Sequence, residues 1–445
     1  MLFYSLIPNI LWRYKERISA SPLAYRFVKG AFWSIFGAVV SRGLILLSSI
    51  IVARLLGQIA FGELGMIQST VGTVGVFAGL GLGMASTKYI ANLRYSDPEK
   101  AGRILALSFL VALITASIVS IGLIFGSSLL AMQVLHAPHL ALSLSIGAGL
   151  VFFGVLNGIQ TGALAGFEAF QSIAKINFFA GLCSFPLILL GTWYWGVSGA
   201  VFGMVLSMTV NWGLNNHALR MVCRMANISY VFRDCWSERQ MLWKFTLPAA
   251  LSVFLTVPIM WLSNVLLVHR PNGYAEMGLF SAAQQWQSAI LFIPISLSPM
   301  VLSLMANTNG EGKAHSYWKM VKLSFFINAI IAGSMAVVVS LLSQVIMKTY
   351  GQDFSSGWLI LTMLALTAVF IASTNVIGQV IAISASMWWG FFLNFLWGIA
   401  FIGFSWLWVR PYGAIGLAFS YMASYLCHLV WTSAYMLKMR ATKGS

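Results

Sequence analysis

Polar side chains are so sparse in this chain that it reads as long apolar runs parted by short polar breaks. Twelve runs are long enough to cross a ~30 Å hydrocarbon layer as helices. They cover roughly residues 29–53, 61–86, 104–132, 140–165, 171–194, 197–220, 244–268, 278–305, 322–347, 357–383, 388–408 and 413–436. Ahead of them, Leu2, Phe3, Leu6, Ile7, Ile10 and Leu11 share one face, the pattern of a helix lying in the membrane interface over residues 2–26. Arg13, Lys15 and Arg17 follow without a small-residue cleavage pattern, which argues against a removable signal. The expected class is an all-α polytopic membrane protein.

Composition supports that class: of 445 residues, 59% are hydrophobic and only 8% charged, too few charges to cover a soluble domain. The net charge of +16 is then a matter of location. With the N-terminus placed in the cytoplasm, 21 of the 26 lysines and arginines fall in cytoplasmic segments. Arg54, Arg270, Lys348 and Arg410 fall on the other side, and Arg42 lies within the membrane. That bias predicts both termini inside and leaves no basic surface over for nucleic acid; the excess meets anionic headgroups of the bilayer. Cys183, Cys223, Cys235 and Cys427 have no ligand spacing, and neither a disulfide nor a metal site is expected.

The two halves echo each other. Glu63-Leu64-Gly65 recurs as Glu276-Met277-Gly278 and Asn157–Gln160 as Asn375–Gln379. Asn177-Phe178 recurs as Asn394-Phe395, and Trp195-Gly196-x-x-Gly199 as Tyr412-Gly413-x-x-Gly416, at offsets of 213 to 219. Six spans per half is even, so the halves run parallel, related by an axis along the membrane normal. The expected organisation is a cytoplasmic interfacial segment (1–28), an N-lobe of six spans (29–222), a cytoplasmic linker (223–243), a C-lobe of six spans (244–437) and a cytoplasmic tail (438–445), with a central cleft between the lobes. The glycine row Gly72, Gly75, Gly79 and Gly83 allows close helix contact or bending in the second span.

Arg42 is the one charge inside the first run, about 18 Å in from Gly30 at about 1.5 Å per residue. An arginine at that depth costs about 2.5–3.5 kcal/mol to insert, and it faces a partner, a cavity or an anion rather than lipid. The sequence around it, Arg42…Ala53-Arg54-Leu55-Leu56-Gly57…Phe61-Gly62…Ser69…Gly79-Leu80-Gly81 and then Lys88-Tyr89-Ile90-Ala91, resembles the N-terminal signature of Wzx-type polysaccharide flippases. These belong to the multidrug/oligosaccharidyl-lipid/polysaccharide superfamily, and the resemblance is concentrated in residues 30–105. It implies a two-lobed bundle of twelve helices that alternates between inward-open and outward-open states at the bacterial inner membrane. Its implied substrate is an undecaprenyl-diphosphate-linked oligosaccharide, for O-antigen, capsule or exopolysaccharide assembly, with a glycan polymerase or other assembly components as partners.

A guanidinium binds a diphosphate bidentately, which suits Arg42; the alternative is a hydrogen bond to helix carbonyls. Lys88, at the cytoplasmic end of the second span, either meets the diphosphate on entry or anchors the topology. Gln68, Asn157, Gln160, Asn211, Asn264 and Gln284 are amides within spans, able to read sugar hydroxyls or to bond helix to helix; Trp212, Trp261 and Trp286 are their aromatic companions. Arg54 and Arg270, at the outer ends of the first and seventh spans, either receive the phosphate after the flip or, the favoured reading, hold surface or loop pairings with Glu63 and Glu276. All ten acids fall in loops or at span ends, which disfavours a cation or multidrug antiporter of the same superfamily. A lipid II flippase, usually with two more spans, is the nearer alternative. External loops are short and carry no nucleophile motif, no cofactor motif and only the pair His136 and His139 as metal candidates, so catalysis is not expected.

Overall fold

Apolar runs of this length satisfy their backbone amides inside lipid by forming helices, and the described runs do so. The structure, a computed structural model, describes residues 22–242, 246–310, 314–383 and 387–443, and the described residues form helices and turns with no strand. In chain order the helices are α1 (Pro22–Gly79), α2 (Leu82–Leu93), α3 (Pro98–Leu129), α4 (Ala141–Gly166), α5 (Phe170–Met225), α6 (Leu247–Val268), α7 (Gly273–Gly310), α8 (Ala314–Leu341), α9 (Ser343–Tyr350), α10 (Trp358–Ile383) and α11 (Met387–Lys443). The expected interfacial helix over residues 2–26 lies almost wholly outside the described residues.

Three helices are too long for one crossing and reverse on themselves. α1 turns at Gly57, α5 at Trp195–Gly196 and α11 at Gly413. Split there, with α2 extending the second arm of α1 and α9 following α8, the described residues form twelve long rods in the order of the apolar runs. Seven described segments are long and apolar enough to cross a membrane, the three reversing ones among them.

Gly196 and Gly413 carry matching backbones, φ 56° and 58° with ψ −132° at both, in a left-handed region where a side chain is strained. Behind each turn a second glycine lets the arms touch: a Cβ on Gly199 would overlap the Gly191 carbonyl, and one on Gly416 the Trp408 carbonyl. All three pairs, 196/413, 199/416 and 191/408, are 217 residues apart. The repeat seen in the sequence is thus a repeat of backbone geometry.

Helices α1 to α5 pack chiefly on one another, as do α6 to α11. The two groups meet where α1 crosses α7. A Cβ on Gly62 would overlap the Tyr274 carbonyl and one on Gly278 the Gln58 carbonyl, so the two backbones touch. Gln58 also donates to the Ala275 carbonyl at 3.1 Å. This crossing lies at the end of the bundle that carries the three glycine turns, the turn end. At the opposite, linker end, residues 226–242 lie against the start of α3. There Val231 N–H donates to the Gly102 carbonyl at 3.4 Å, and Arg103 bridges Glu99 (2.9 Å) and Glu238 (3.3 Å). α5 continues to Met225, so residues 223–225 of the expected linker are helical.

Candidate substrate cavity

One break in a helix shapes the cavity. The second arm of α1 stops at Gly79 and α2 starts at Leu82, with Leu80 (φ 46°) and Gly81 (φ 71°) both left-handed. A break in a helix frees carbonyls, and Thr115 of α3 donates its hydroxyl to one of them, Ala78, at 2.9 Å. The Gly79-Leu80-Gly81 signature is therefore a discontinuity held in place by a neighbouring helix.

Beside the break lies a cavity of about 740 Å³ between α1, α2, α4 and α5. Gly72, Gly75, Gly79, Gly154 and Gly158 line it, and nothing stands within 4 Å of where their Cβ atoms would be. These glycines keep space open. Gly83 and Gly162, by contrast, bring α2 onto α4, where a Cβ on either would overlap the partner's backbone or its neighbour's. The row expected to serve contact or bending serves contact, a break and an open wall in turn. A smaller cavity of about 110 Å³ adjoins it where α1 and α5 approach α7, lined in part by Ser48, Ser49, Gln68, Ser281 and Gln285. Gln68, Ile45, Ser184, Ile188 and Met204 belong to both.

Arg42 sits one turn before Ile45 and two before Ser49 on the same face of α1. It is half-buried, and its Nε is enclosed with no hydrogen-bond partner. Gln68 reaches the Met204 sulfur at 3.3 Å. Gln284 is half-buried on α7, and Lys88 is exposed on α2 with its ammonium 5.9 Å from the centre of the Tyr89 ring. The remaining expected amides are committed to helix packing. Asn215 donates to Asn157 (3.1 Å) and Asn211 (2.7 Å), and Asn157 donates to the Met208 carbonyl (3.1 Å). Gln160, in the amide orientation that satisfies both partners, donates to the Trp212 carbonyl and accepts from the Trp212 indole, each at 3.2 Å. Asn264 joins the two halves by donating to Ser69 at 2.9 Å, beside the Trp261 indole donating to Thr70 at 3.0 Å. Of the arginines near the turn end, Arg270 pairs with Glu276 (3.1 Å) as expected. Arg54 instead donates to the Thr349 carbonyl at 2.6 Å, and Glu63 pairs with His139 at 2.7 Å. The serines of the smaller cavity were not singled out from sequence; Ser49, on the Arg42 stripe, is the one that helical spacing alone points to.

The electrostatics are one-sided. Each described acid lies in a loop or at a helix end, and most have partners there: Glu168 with Arg94 (2.6 Å), Glu99 and Glu238 with Arg103, and Asp97 as cap of α3. Among the described residues no acid lies within the apolar run that holds Arg42.

Residues 27–305 match the family model described as polysaccharide biosynthesis protein. The chain is similar to the EPS I polysaccharide export inner membrane protein EpsE of Ralstonia nicotianae, at 22% identity over 413 residues, covering 91% of this chain and 92% of that one. Its counterpart from Ralstonia solanacearum is 21% identical over 430 residues, covering 94% and 95%. Among solved structures, an inward-facing multidrug resistance MATE family transporter of the MOP superfamily superposes with a TM-score of 0.74 at 17% identity, over 90% of this chain and 95% of that one. An outward-facing one gives 0.72 at 16% identity, over 94% and 96%. At these identities the structural likeness is one of fold.

Proposed function

The chain belongs to the polysaccharide biosynthesis protein family, and from that membership we propose that it is a flippase for an undecaprenyl-diphosphate-linked oligosaccharide repeat unit. The protein is a multi-pass inner-membrane transporter of the MOP superfamily serving polysaccharide export. In the proposed cycle the turn end faces the periplasm and the linker end the cytoplasm, as the lysine and arginine bias requires. The lobes alternate around the cleft, the diphosphate is held by Arg42, and the polyprenyl tail stays in lipid between the lobes. Lys88 meets the diphosphate at the cytoplasmic entrance, and Gln68, whose amide gives up only a weak contact to the Met204 sulfur, and Gln284 turn to sugar hydroxyls. The structure described here, with its halves joined at the turn end, then corresponds to the state closed toward the periplasm.

One observation carries this reading: Arg42, the one charge of its apolar run, has its Nε enclosed and unpartnered, while every described acid is at a helix end or in a loop. A lone buried cation is costly without an anion, and a substrate that brings a diphosphate supplies one. A cation or drug antiporter needs the opposite, a carboxylate in the membrane. Twelve rods rather than fourteen favour a repeat unit over lipid II.

The test is the sidedness of undecaprenyl-diphosphate-linked repeat units in cells with and without the protein. Accumulation on the cytoplasmic leaflet, relieved when the protein returns, is expected. Unchanged sidedness with accumulation of a soluble cation or drug would replace this reading with the antiporter.

A further inference from the structure

At the turn end each half of the protein reaches across to grip the other. From the second half, the segment after α8 lays Tyr350 and Phe354 against Phe61 of α1, with ring centres 6.3 and 5.9 Å away, while Arg54 holds the Thr349 carbonyl. From the first half, residues 134–136 after α3 present two carbonyls and one ring to the start of α7. His269 Nε2 donates to the Val134 carbonyl at 2.7 Å and the Tyr274 hydroxyl to the Leu135 carbonyl at 2.8 Å. His136, in a left-handed conformation (φ 50°) between buried Leu135 and Ala137, stacks on His269 with centroids 4.4 Å apart and planes 24° apart. The two grips are alike in reach and unlike in chemistry, because only the second is built on a pair of titratable rings.

We propose that His136 and His269 form a proton-binding latch that holds the turn end shut and loosens when both rings are charged. A neutral ring stacks well on a neutral or singly charged one, whereas two imidazolium ions at this separation repel. The ionisable groups around the stack come from every element packed there: Glu63 of α1, His139 of the following loop, Arg270 between α6 and α7, and Tyr274 and Glu276 of α7. Glu63 is taken by His139, and Glu276 by Arg270 and by the Ala414 amide at 2.8 Å. No carboxylate of this cluster is left to offset a second positive ring. Both histidines are exposed, so protons reach them from the compartment that the turn end faces, and histidine is the side chain that titrates between pH 5 and 8. The latch rests on the alternating-access reading above and adds what governs opening at this end.

The experiment is a pulsed electron paramagnetic resonance distance between spin labels at Trp195→Cys and Tyr412→Cys, the exposed tips of the repeat-related turns. The full chain, with its four native cysteines replaced, is placed in lipid nanodiscs without any glycolipid. At pH 7.5 one short distance is expected; at pH 5 a longer one appears, the ratio of open to closed rising at least about fivefold, the effect of two unit charges at 4.4 Å in bulk water. The pair His136→Phe and His269→Phe keeps the stack, removes the charge and should stay closed at both pH values, while His139→Gln, which releases the Glu63 carboxylate to offset a second positive ring, should open less than the parent at pH 5. A parent protein blind to pH, or a Phe/Phe variant that opens as the parent does, overturns the latch. Because no exported substrate is present, failure of the flippase reading leaves this result untouched.

Discussion

Arg42→Leu separates the two roles available to Arg42, because they give stability changes of opposite sign. If the guanidinium held helix carbonyls, its removal would strand those groups and lower stability by about 1–3 kcal/mol. If it waits in the cavity for an anion, leucine removes a charge that the resting protein pays to keep there. Mid-membrane arginine costs about 2.5–3.5 kcal/mol and leucine gains about 0.3–0.6 kcal/mol on insertion scales, a difference of ~3–4 kcal/mol. The side chain is half-buried, so about half of that, ~1–2 kcal/mol, is the expected gain. Thermal unfolding of the detergent-solubilised protein, followed by size-exclusion of a fluorescent fusion, should show Arg42→Leu melting a few degrees higher. The same variant should fail to restore surface polysaccharide in cells lacking the parent. Arg42→Lys, which keeps the charge but loses the planar fork, should restore part of it. A leucine variant that melts lower, or that exports at the parental level, would refute the assignment of Arg42 to the substrate.

Three further outcomes follow from the packing. Gly62→Ala or Gly278→Ala puts a Cβ onto the partner backbone where α1 crosses α7; the overlap, worth about 1–3 kcal/mol, is relieved by parting the halves at the turn end. Labelling of Ser69→Cys from the turn side should therefore rise, and unchanged labelling would mean that the crossing does not close that end. Gly196→Ala and Gly413→Ala each force a side chain into φ near +57°, at a cost of about 1–2 kcal/mol apiece. Both melting temperatures should fall, Gly413→Ala by more, because a Cβ there also meets the Glu276 carboxylate and the Arg270 guanidinium while the space at Gly196 is open; equal falls would mean that this ion pair gives way freely. Asn215→Leu removes the donor shared by Asn157 and Asn211 and should cost about 0.6–1.7 kcal/mol of stability, with export per folded molecule retained. Lost export without lost stability would return these amides to the substrate site.

Much of the architecture was legible because a bilayer imposes a length on every crossing. The runs bounded by Gly57, Gly196 and Gly413 needed no more than their apolar character and a residue free to turn left-handed. The repeat was readable for the same reason: a turn that only glycine can make, backed by a second glycine three residues on, leaves a spacing that survives when most other residues drift. Arg42 stood out because one charge in such a run has no ordinary explanation.

What faces what was a different matter. In water, a helix declares its buried side through the polarity of the other; in lipid both sides are apolar, and that contrast is nearly lost. Hence the same row of glycines held a close contact at Gly83, a break after Gly79 and a bare cavity wall at Gly72 and Gly75. Asn157, Gln160 and Asn211 were reasonable sugar readers until the helix opposite supplied Asn215 and Trp212. The sequence by itself determined how many rods there are, where they turn, how the halves repeat and where the lone charge lies, since each depends on local polarity and on backbone freedom. Only the tertiary structure decided which amides are spent on packing, which glycines enclose space, and that the halves grip each other at one end through a histidine pair. Those outcomes depend on which neighbour a side chain meets across a helix interface, and that information resides in no single stretch of chain.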